Sequence, residues 1–247
     1  MTSHDLLKDK VVVVTAAAGT GIGSATAKRC LEEGAAVIIS DWHERRLKET
    51  HESLGTALAI PCDVTNEQQV QTLVDETVAR FGRIDVMVNN AGLGGEKSLL
   101  DMTDDEWSRV LDVTLNGTFR CTRAALRQMV AQRSGVVVNN SSVIGWRAQK
   151  GQAHYAAAKA GVMALTRCAA MDVAEHGIRV NAVAPSLAAH PFLAKVTSEE
   201  LLTELASREA FGRAAEPWEV ANVIVFLASD YSSYLTGEVV SVSSQHP

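Results

Sequence analysis

The stretch VVVVTAAAGTGIG, residues 11–23, decides the fold of this chain. Its valines form an unbroken β-branched run, which predicts a strand buried on both faces. A glycine-rich turn and a helical pattern follow at once, so the backbone can approach a phosphate closely at the positive end of a helix dipole. Glycines also simply make turns, but this placement between a strand and a helix favours a nucleotide site. The candidate residues are Gly19, Gly21, Ile22 and Gly23.

Short apolar segments alternate with longer amphipathic ones along the rest of the chain. Segments of strand length lie at 11–15, 36–41, 57–61, 84–89, 136–141, 178–184 and 238–242. Helical patterns lie at 22–33, 66–81, 103–132, 153–177 and 217–228. Strands without polar alternation belong to parallel sheets covered by helices on both faces, with right-handed crossovers. The sequence therefore predicts an α/β fold, a doubly wound, seven-stranded parallel sheet forming a single domain over 1–247.

One segment, residues 186–212, interrupts this alternation between the sixth strand and the last helix. It contains Pro191 and Phe192 and a short helical pattern at 198–207. Because insertions at the carboxyl ends of parallel strands lie where such sheets bind ligands, the segment is predicted to be a substrate lid. A variable surface excursion is the alternative.

Composition and charge exclude several classes of protein. The chain has 29 acidic and 23 basic residues, a formal charge of −6, and no basic patch. The tightest basic group, Arg45, Arg46 and Lys48, alternates with Glu44 and Glu49, as on a solvated helix face. We therefore expect no nucleic acid and no anionic membrane as partner.

Neither export nor a metal site is indicated by the sequence. No run of 18 apolar residues is present, and the N-terminal MTSHDLLKDK lacks the order of a signal peptide. The cysteines show no C-x-x-C pattern and no histidines at metal spacing, so we expect them to be buried small hydrophobes and expect no metal. They are Cys30, Cys62, Cys121 and Cys168. A cytoplasmic protein is the expectation.

Asp41 ends the second predicted strand, 18 residues after Gly23. A carboxylate there can accept both ribose hydroxyls of NAD and would repel the 2′-phosphate of NADP. NAD is therefore the preferred cofactor, with NADP as the alternative if Arg45 or Arg46 folds back to hold the phosphate. Asp41 as a cap of the next helix is the competing interpretation.

Tyr155 and Lys159 stand four residues apart on one predicted helix and therefore share a face. Ser142 lies at the end of the fifth strand, at the edge of the sheet where a substrate would meet a nicotinamide. A neighbouring ammonium and a cationic nicotinamide both favour the phenolate of tyrosine, which would then serve as a base for an alcohol proton. A solvated Tyr/Lys pair on the helix surface is the alternative.

Taken together, these motifs resemble the short-chain dehydrogenase/reductase family over essentially the whole chain. The matching segments are the glycine loop, CDV at 62–64, NNAG at 89–92, NAVAP at 181–185, and Ser142 thirteen residues before Tyr155. The resemblance implies a Rossmann fold, a homotetramer, and hydride transfer between a nicotinamide and an alcohol or ketone.

The resemblance also implies roles for single residues. Tyr155 would be the general acid/base, Ser142 would hold the substrate oxygen, and Lys159 would bind the nicotinamide ribose and lower the tyrosine pKa. Asp63 would face the adenine. Further residues of the cofactor cleft would be Val64, Asn89, Ala91, Gly92, Pro185 and Ser186.

Several positions depart from the family pattern. The glycine loop is one residue longer than usual. The family's active-site asparagine, which holds a helix kink and a water that relays protons from the lysine, falls on Thr114. Thr114 is therefore the fourth catalytic candidate, and its hydroxyl can also bond back into its own helix. Asn116, two residues away, should point elsewhere. Ser186 and His190 replace the usual glycine and threonine after the sixth strand, and the C-terminus reads SSQHP.

A subgroup resemblance suggests a substrate. The TAAAGTG loop, residues 210–218 and the QHP ending resemble an actinobacterial subgroup of steroid catabolism, which oxidises a ring hydroxyl on a bicyclic (ring C/D) propanoyl-CoA fragment. Trp146 and Arg147 would form one wall of the pocket, with Arg147 meeting an anionic group. Phe192, Leu193 and Leu201 would contribute from the lid. Core filling is the alternative for each aromatic.

Three functions remain open from the sequence. The first is an NAD-dependent dehydrogenase of a bulky secondary alcohol, including an acyl-CoA; the second is a 3-oxoacyl or acetoacetyl thioester reductase. The third is a catalytically idle nucleotide-binding sensor or assembly protein. The run of small residues at 155–164 predicts close helix–helix contact in a tetramer or within one subunit.

Overall fold

Seven parallel strands form one sheet in the order β3-β2-β1-β4-β5-β6-β7 within the residues that the computed structural model describes, 3–189 and 199–245. The strands are β1 Val11–Val14, β2 Ala36–Asp41, β3 Leu58–Pro61, β4 Val86–Asn89, β5 Gly135–Asn140, β6 Ile178–Pro185 and β7 Val239–Val242. Each of the predicted strands is confirmed, with ends shifted by at most two residues. The strand order reverses between β1 and β4, which makes their carboxyl ends the place where a doubly wound sheet binds ligands.

Helices cover both faces of the sheet, and the predicted fold class is confirmed. They are α1 Ile22–Glu32, α2 Glu44–Leu54, α3 Glu67–Phe81, α4 Asp104–Leu111, α5 Gly117–Gln132, α6 Ala153–Val173, α7 Glu199–Ser207 and α8 Pro217–Ala228. The valines of β1 show why the run is unbroken. Val11 and Val13 pack toward α3 and α5 on one face, while Val12 and Val14 pack toward α1 and α8 on the other. Every side chain of the strand is therefore buried.

The helix predicted at 103–132 is interrupted. Its start is as expected, since Thr103 and Glu106 form a capping box. A π-helical turn, Asp112–Asn116, then separates α4 from α5. Such turns insert one residue into the helical hydrogen-bond ladder and often lie at functional sites. Here the turn holds Thr114, which is completely buried.

The cysteine prediction is correct for three of the four residues. Cys30, Cys62 and Cys121 are buried, whereas Cys168 is exposed on α6. Cys168 was misassigned because its helix is apolar almost all round. The sequence of such a helix does not show which face is exposed to solvent.

Across the described residues, no helix is long and apolar enough to span a membrane. The same part of the chain contains no group of His, Cys, Asp or Glu side chains arranged to hold a metal ion.

Candidate active site

The glycine loop joins β1 to α1 at the carboxyl edge of the sheet. Gly19 has a φ of 92°, a left-handed conformation that suits glycine. Gly23 is required for a different reason, since a Cβ atom there would lie 2.4 Å from the carbonyl oxygen of Ala16 and 2.6 Å from Nδ2 of Asn90. The backbone is therefore packed too tightly for any side chain at Gly23. Ala16, in the same loop, also has a left-handed conformation, with a φ of 49°.

Asp41 links this loop to the residue that begins the following helix. One carboxylate oxygen accepts from the backbone N–H of Ala18 at 3.2 Å, and the other accepts from that of His43 at 2.9 Å. The N-cap of α2 is His43, so the interpretation of Asp41 as the helix cap is wrong. Arg45 pairs with Glu49 on the exposed surface of α2.

Asp63 and Val64 follow β3, which is the strand next to β2 in the sheet. The Asp63 carboxylate accepts from the backbone and hydroxyl of Thr65 at 2.9 and 2.8 Å, which fixes a local turn. Val64 is buried against Gly117, where a Cβ would lie 2.6 Å from its Cγ2. Both residues are held firmly at the carboxyl edge of the sheet.

Asn89, the last residue of β4, and Asn90, the residue after it, face opposite sides. Asn89 is buried, and its amide donates to Thr122 and Asn139, so that this side chain connects β4 to α5 and β5. Asn90, absent from the predicted set, donates to the carbonyl of Ala16 at 3.0 Å and accepts from Asn140 at 2.9 Å. Asn90 therefore supports the glycine loop from the side of β4.

Ser142, Tyr155 and Lys159 come together above the ends of β5 and β6. The Ser142 hydroxyl donates to the carbonyl of Pro185 at 3.4 Å, and it also hydrogen-bonds the Tyr155 phenol. Lys159 is 3% exposed; its Nζ donates to the carbonyl of Asn140 at 2.5 Å and lies 5.5 Å from the Tyr155 ring centre. The interpretation of these residues as a solvated surface pair is wrong.

The pKa of Tyr155 differs from the expectation that Lys159 lowers it. Burial raises the pKa of Tyr155 to about 12, and the hydrogen bond between Ser142 and Tyr155 offsets only part of that rise. Burial also lowers the pKa of Lys159 to about 8. The ammonium alone thus does not depress the tyrosine pKa, because desolvation outweighs it at 5.5 Å.

Thr114 lies beside this cluster, in the π-helical turn. Its hydroxyl accepts from the backbone N–H of Leu93 at 3.0 Å and donates to the carbonyl of the same residue at 3.2 Å. Of the hydrogen bonds open to this hydroxyl, the structure shows those that reach across to the loop after β4 and none back into its own helix among the bonds described. Asn116 is exposed and donates to Asp112, which confirms that it points elsewhere. Gly92, next to Leu93, allows Lys159 close approach, since a Cβ there would be 3.3 Å from Nζ.

The predicted substrate residues are only partly described. Trp146 is 40% exposed and lines a groove of about 680 Å³ with Ala153, Ala157 and Ala160, on the face of α6 opposite Tyr155. Arg147 follows it and bonds to Gln245. His190, Phe192 and Leu193 lie outside the described residues, as does the side chain of Leu201. The substrate lid at 186–212 and the single domain over 1–247 remain predictions.

Comparison with known proteins gives consistent matches along the chain. The family model described as enoyl-(acyl carrier protein) reductase matches residues 16–244. A (5R,7aS)-5-hydroxy-7a-methyl-1-oxo-2,3,5,6,7,7a-hexahydro-1H-indene-carboxyl-CoA reductase of Mycobacterium tuberculosis is 66% identical, covering 100% of this chain and 97% of its own. A cis-4-hydroxycyclohexanecarboxylate dehydrogenase of Sinomonas cyclohexanicum is 44% identical, with 95% of each chain covered. The crystal structure of a short chain dehydrogenase from Mycobacterium smegmatis is 58% identical with a TM-score of 0.89, covering 100% and 97% of the two chains.

Proposed function

The chain belongs to the short-chain dehydrogenase/reductase family of oxidoreductases, and from that premise we propose that Ser142, Tyr155 and Lys159 catalyse hydride transfer between NAD and a secondary ring alcohol or its ketone. The observation that carries this proposal is the convergence of the three side chains in one largely buried cluster at the carboxyl edge of the sheet. The 66% identity to a bicyclic acyl-CoA reductase supports a substrate in which the ring bears a CoA thioester.

The glycine loop fits a dinucleotide cofactor. Because Gly23 has no side chain, the backbone of the loop packs directly against the first turn of α1. A pyrophosphate could therefore bind to the free N–H groups at the start of this helix. Asp41 would hold the adenosine ribose and Lys159 the nicotinamide ribose. The other residues proposed to line the cleft are Gly19, Gly21, Ile22, Asp63, Val64, Ala91, Gly92, Pro185 and Ser186, together with the backbone of Asn89. When bound, the nicotinamide accepts or returns the hydride.

The chain's own residues handle the proton. Ser142 donates to the substrate oxygen and holds it beside the Tyr155 phenol. During oxidation the phenolate takes the hydroxyl proton from the alcohol, and during reduction the phenol returns it to the ketone. Because burial raises the Tyr155 pKa to about 12, the positive charges of Lys159 and of an oxidised nicotinamide are both needed to make the phenolate available.

Turnover with a panel of alcohols tests the proposed function. The panel comprises cyclohexanol, cis-4-hydroxycyclohexanecarboxylate and a ring-hydroxylated acyl-CoA, with acetoacetyl-CoA in the reducing direction, each with NAD(H) and NADP(H). We expect ring alcohols to be oxidised faster than acetoacetyl-CoA is reduced. The reverse order would identify a thioester reductase instead. Binding of NAD without turnover of any alcohol would favour the idle nucleotide-binding protein.

Asp41 is proposed to make NAD the preferred cofactor. We expect wild type to show a kcat/KM for NAD roughly tenfold or more above that for NADP, because the carboxylate repels a 2′-phosphate. Asp41→Asn keeps an acceptor for the N–H of Ala18 but removes the negative charge. Both Asp41→Asn and Asp41→Ala should therefore reduce the ratio of kcat/KM for NAD to kcat/KM for NADP. A wild-type preference for NADP, with the phosphate held by Arg45 or Arg46, would contradict this assignment.

Thr114 is proposed to hold the loop after β4 beside Lys159. Thr114→Val keeps the shape but leaves the N–H of Leu93 without its partner, which typically costs about 1–3 kcal/mol of stability. We expect the valine variant to have a lower kcat, and Thr114→Asn to keep at least the wild-type kcat. Equal kcat values and equal pH–rate profiles for Thr114→Val and wild type would show that the residue serves packing alone.

The outer face of α6 is proposed to be a subunit interface in a homotetramer. Ala157, Ala160 and Ala164 are exposed there, and Met171 is 79% exposed further along the helix. Small side chains allow two helices to approach closely, so this face suits a second copy of the helix. Light scattering should give a mass about four times the 26.4 kDa of one chain. A mass of one chain at micromolar concentration would refute the interface.

A cytoplasmic location also remains a prediction.

A further inference from the structure

Two pairs of asparagines lie side by side at the ends of β4 and β5. Asn89 stands opposite Asn139 in the register of the two strands, and Asn90 and Asn140 are the next residue of each segment. The first pair is buried in the core, where Asn89 donates to Asn139 at 2.8 Å. Because successive residues of an extended segment face opposite sides, the second pair points to the other face of the sheet. This outer pair, Asn90 and Asn140, lies at the carboxyl edge where the glycine loop begins.

The outer pair forms a directed chain of hydrogen bonds that ends on the glycine loop. Nδ2 of Asn140 donates to Oδ1 of Asn90 at 2.9 Å, and Nδ2 of Asn90 donates to the carbonyl of Ala16 at 3.0 Å. A carbonyl only accepts, so Asn90 must turn its nitrogen to Ala16 and its oxygen to Asn140. The donor at position 140 therefore holds the Asn90 amide in the orientation that the loop requires.

Ala16 is the point in the loop that depends on this support. Its φ of 49° lies in the left-handed region, which is strained for a residue with a side chain and persists only where the surroundings hold it. A Cβ at Gly23 would lie 2.4 Å from the Ala16 carbonyl oxygen and 2.6 Å from Nδ2 of Asn90. The carbonyl, the amide and the first turn of α1 therefore pack against one another. The position of the Asn90 amide thus bears directly on the N–H groups proposed to bind the pyrophosphate.

Stability alone does not account for an amide at position 140. Asn140 is 9% exposed, and its Oδ1 is buried without a hydrogen-bond partner among the described residues. A buried acceptor without a partner costs the folded state stability and asks for an explanation. The main-chain carbonyl of Asn140 accepts from Nζ of Lys159 at 2.5 Å. Asn140 therefore lies between the glycine loop and the proposed catalytic lysine and contacts both halves of the site.

We propose that Asn140 is a positioning residue that, through Asn90, fixes the glycine loop in the conformation that binds the pyrophosphate of the cofactor. This inference rests on the proposed function. A side chain without an N–H donor at position 140 releases the Asn90 amide, whose oxygen is then free to turn toward the Ala16 carbonyl and repel it. Ala16 loses the partner that holds its left-handed conformation, and the loop binds a phosphate less well.

Calorimetry with fragments of the cofactor tests this role without turnover. ADP-ribose carries the pyrophosphate, whereas adenosine does not. We expect Asn140→Leu and Asn140→Ala each to raise the Kd for ADP-ribose about fivefold, the effect of one lost neutral hydrogen bond, and to leave the Kd for adenosine within about twofold of wild type. The two variants lack the donor alike but differ in size, and alanine adds no bulk to the buried position.

A glutamine elsewhere in the chain provides the matched control. Gln128 donates to the amide oxygen of Gln132 on α5, also at 2.9 Å, so Gln128→Leu removes the same kind of hydrogen bond away from the glycine loop. This variant should leave both Kd values unchanged. An unchanged Kd for ADP-ribose in both Asn140 variants, or an equal rise for both ligands, would overturn the proposal.

A double-mutant cycle shows whether Asn140 acts through Asn90. Asn90→Ala should raise the Kd for ADP-ribose at least as much as Asn140→Ala, because it removes the hydrogen bond to Ala16 itself. Adding Asn140→Ala to Asn90→Ala should raise that Kd by less than a further twofold, since the amide on which Asn140 acts is already absent. Effects that multiply in the double variant would show that the two residues act independently, and the proposal would be wrong.

Hydrogen exchange follows the loop in the ligand-free protein. Asn140→Ala should speed exchange of the backbone N–H groups in residues 15–23 about fivefold, because the loop opens more often once its support is lost. Exchange in α5 should match wild type in the same sample. Unchanged exchange in residues 15–23 would contradict the positioning role.

The binding measurements separate failure of this inference from failure of the proposed function. If wild type binds neither ADP-ribose nor NAD, the proposed function and the positioning role both fail, whatever hydrogen exchange shows. If wild type binds NAD and oxidises a ring alcohol, but the Kd for ADP-ribose does not respond to the Asn140 variants, the proposed function stands and the positioning role of Asn140 is wrong.

Discussion

Tyr155→Phe is expected to reduce kcat by roughly 10²–10⁴-fold, the range that general acid–base catalysis typically contributes. The substitution removes only the titratable oxygen, so the Kd for NAD, measured by calorimetry, should stay within about twofold of wild type. Tyr231→Phe is the matched control, since Tyr231 is 77% exposed and distant from Ser142 in sequence and in its contacts. A Tyr155→Phe variant with most of its activity would show that another group moves the proton.

Lys159→Met is expected to impair both steps that depend on the ammonium. With the charge removed, kcat should fall roughly a hundredfold or more because the phenolate of Tyr155 loses its nearest positive charge, and NAD should bind more weakly. Methionine fills a similar volume, which separates loss of charge from loss of packing. Lys28→Met, on the exposed part of α1, is the control and should change neither quantity.

The same variant makes a prediction about stability and pH. Burial lowers the pKa of Lys159 from 10.5 to about 8 in the folded protein, so the unfolded chain binds more protons between those two values. The charged lysine therefore costs the native state stability, on the order of 3 kcal/mol, below pH 8, and this penalty fades as the pH rises toward 10.5.

Denaturant unfolding at several pH values checks this sign. The free energy of unfolding of wild type should rise relative to that of Lys159→Met as the pH increases through this window. A difference between the two proteins that does not change with pH would show that Lys159 titrates normally in the folded state.

Much of the fold follows from local physical chemistry that a sequence displays directly. The run Val11–Val14 is unbroken because helices cover both faces of the sheet, and the same reasoning places every other strand within two residues. Thr103 and Glu106 indicate the start of α4 by their spacing. The π-helical turn has no such signal, since nothing in Asp112–Asn116 distinguishes an inserted residue from a regular helix.

The candidate site was predictable where spacing determines proximity. Tyr155 and Lys159 share a helix face by their separation of four residues, and Ser142 follows from the end of a strand. The asparagine pair was not predictable in the same way, because successive residues of an extended segment face opposite sides. Asn90 rather than Asn89 reaches the glycine loop, and a shift of one residue would have exchanged their roles.

Two further features depend on long-range contacts that sequence patterns do not encode. The Tyr155 pKa follows from burial by the surrounding chain, which outweighs the lysine four residues away. The hydrogen bond from Arg147 to Gln245 joins residues 98 positions apart, and the glutamine itself lies in a tail without periodicity. Only the folded chain brings these residues together.

Transfer of deuterium from an alcohol to the nicotinamide tests the central claim most directly. The ring alcohol that the panel shows to be turned over fastest, or cis-4-hydroxycyclohexanecarboxylate if all are slow, is labelled at its carbinol carbon and incubated with wild type, Tyr155→Phe and NAD. Mass spectrometry of the cofactor should show singly deuterated NADH with wild type and at least a hundredfold less with Tyr155→Phe. Unlabelled cofactor with wild type, or equal labelling with both proteins, would contradict hydride transfer by the Ser142, Tyr155 and Lys159 site.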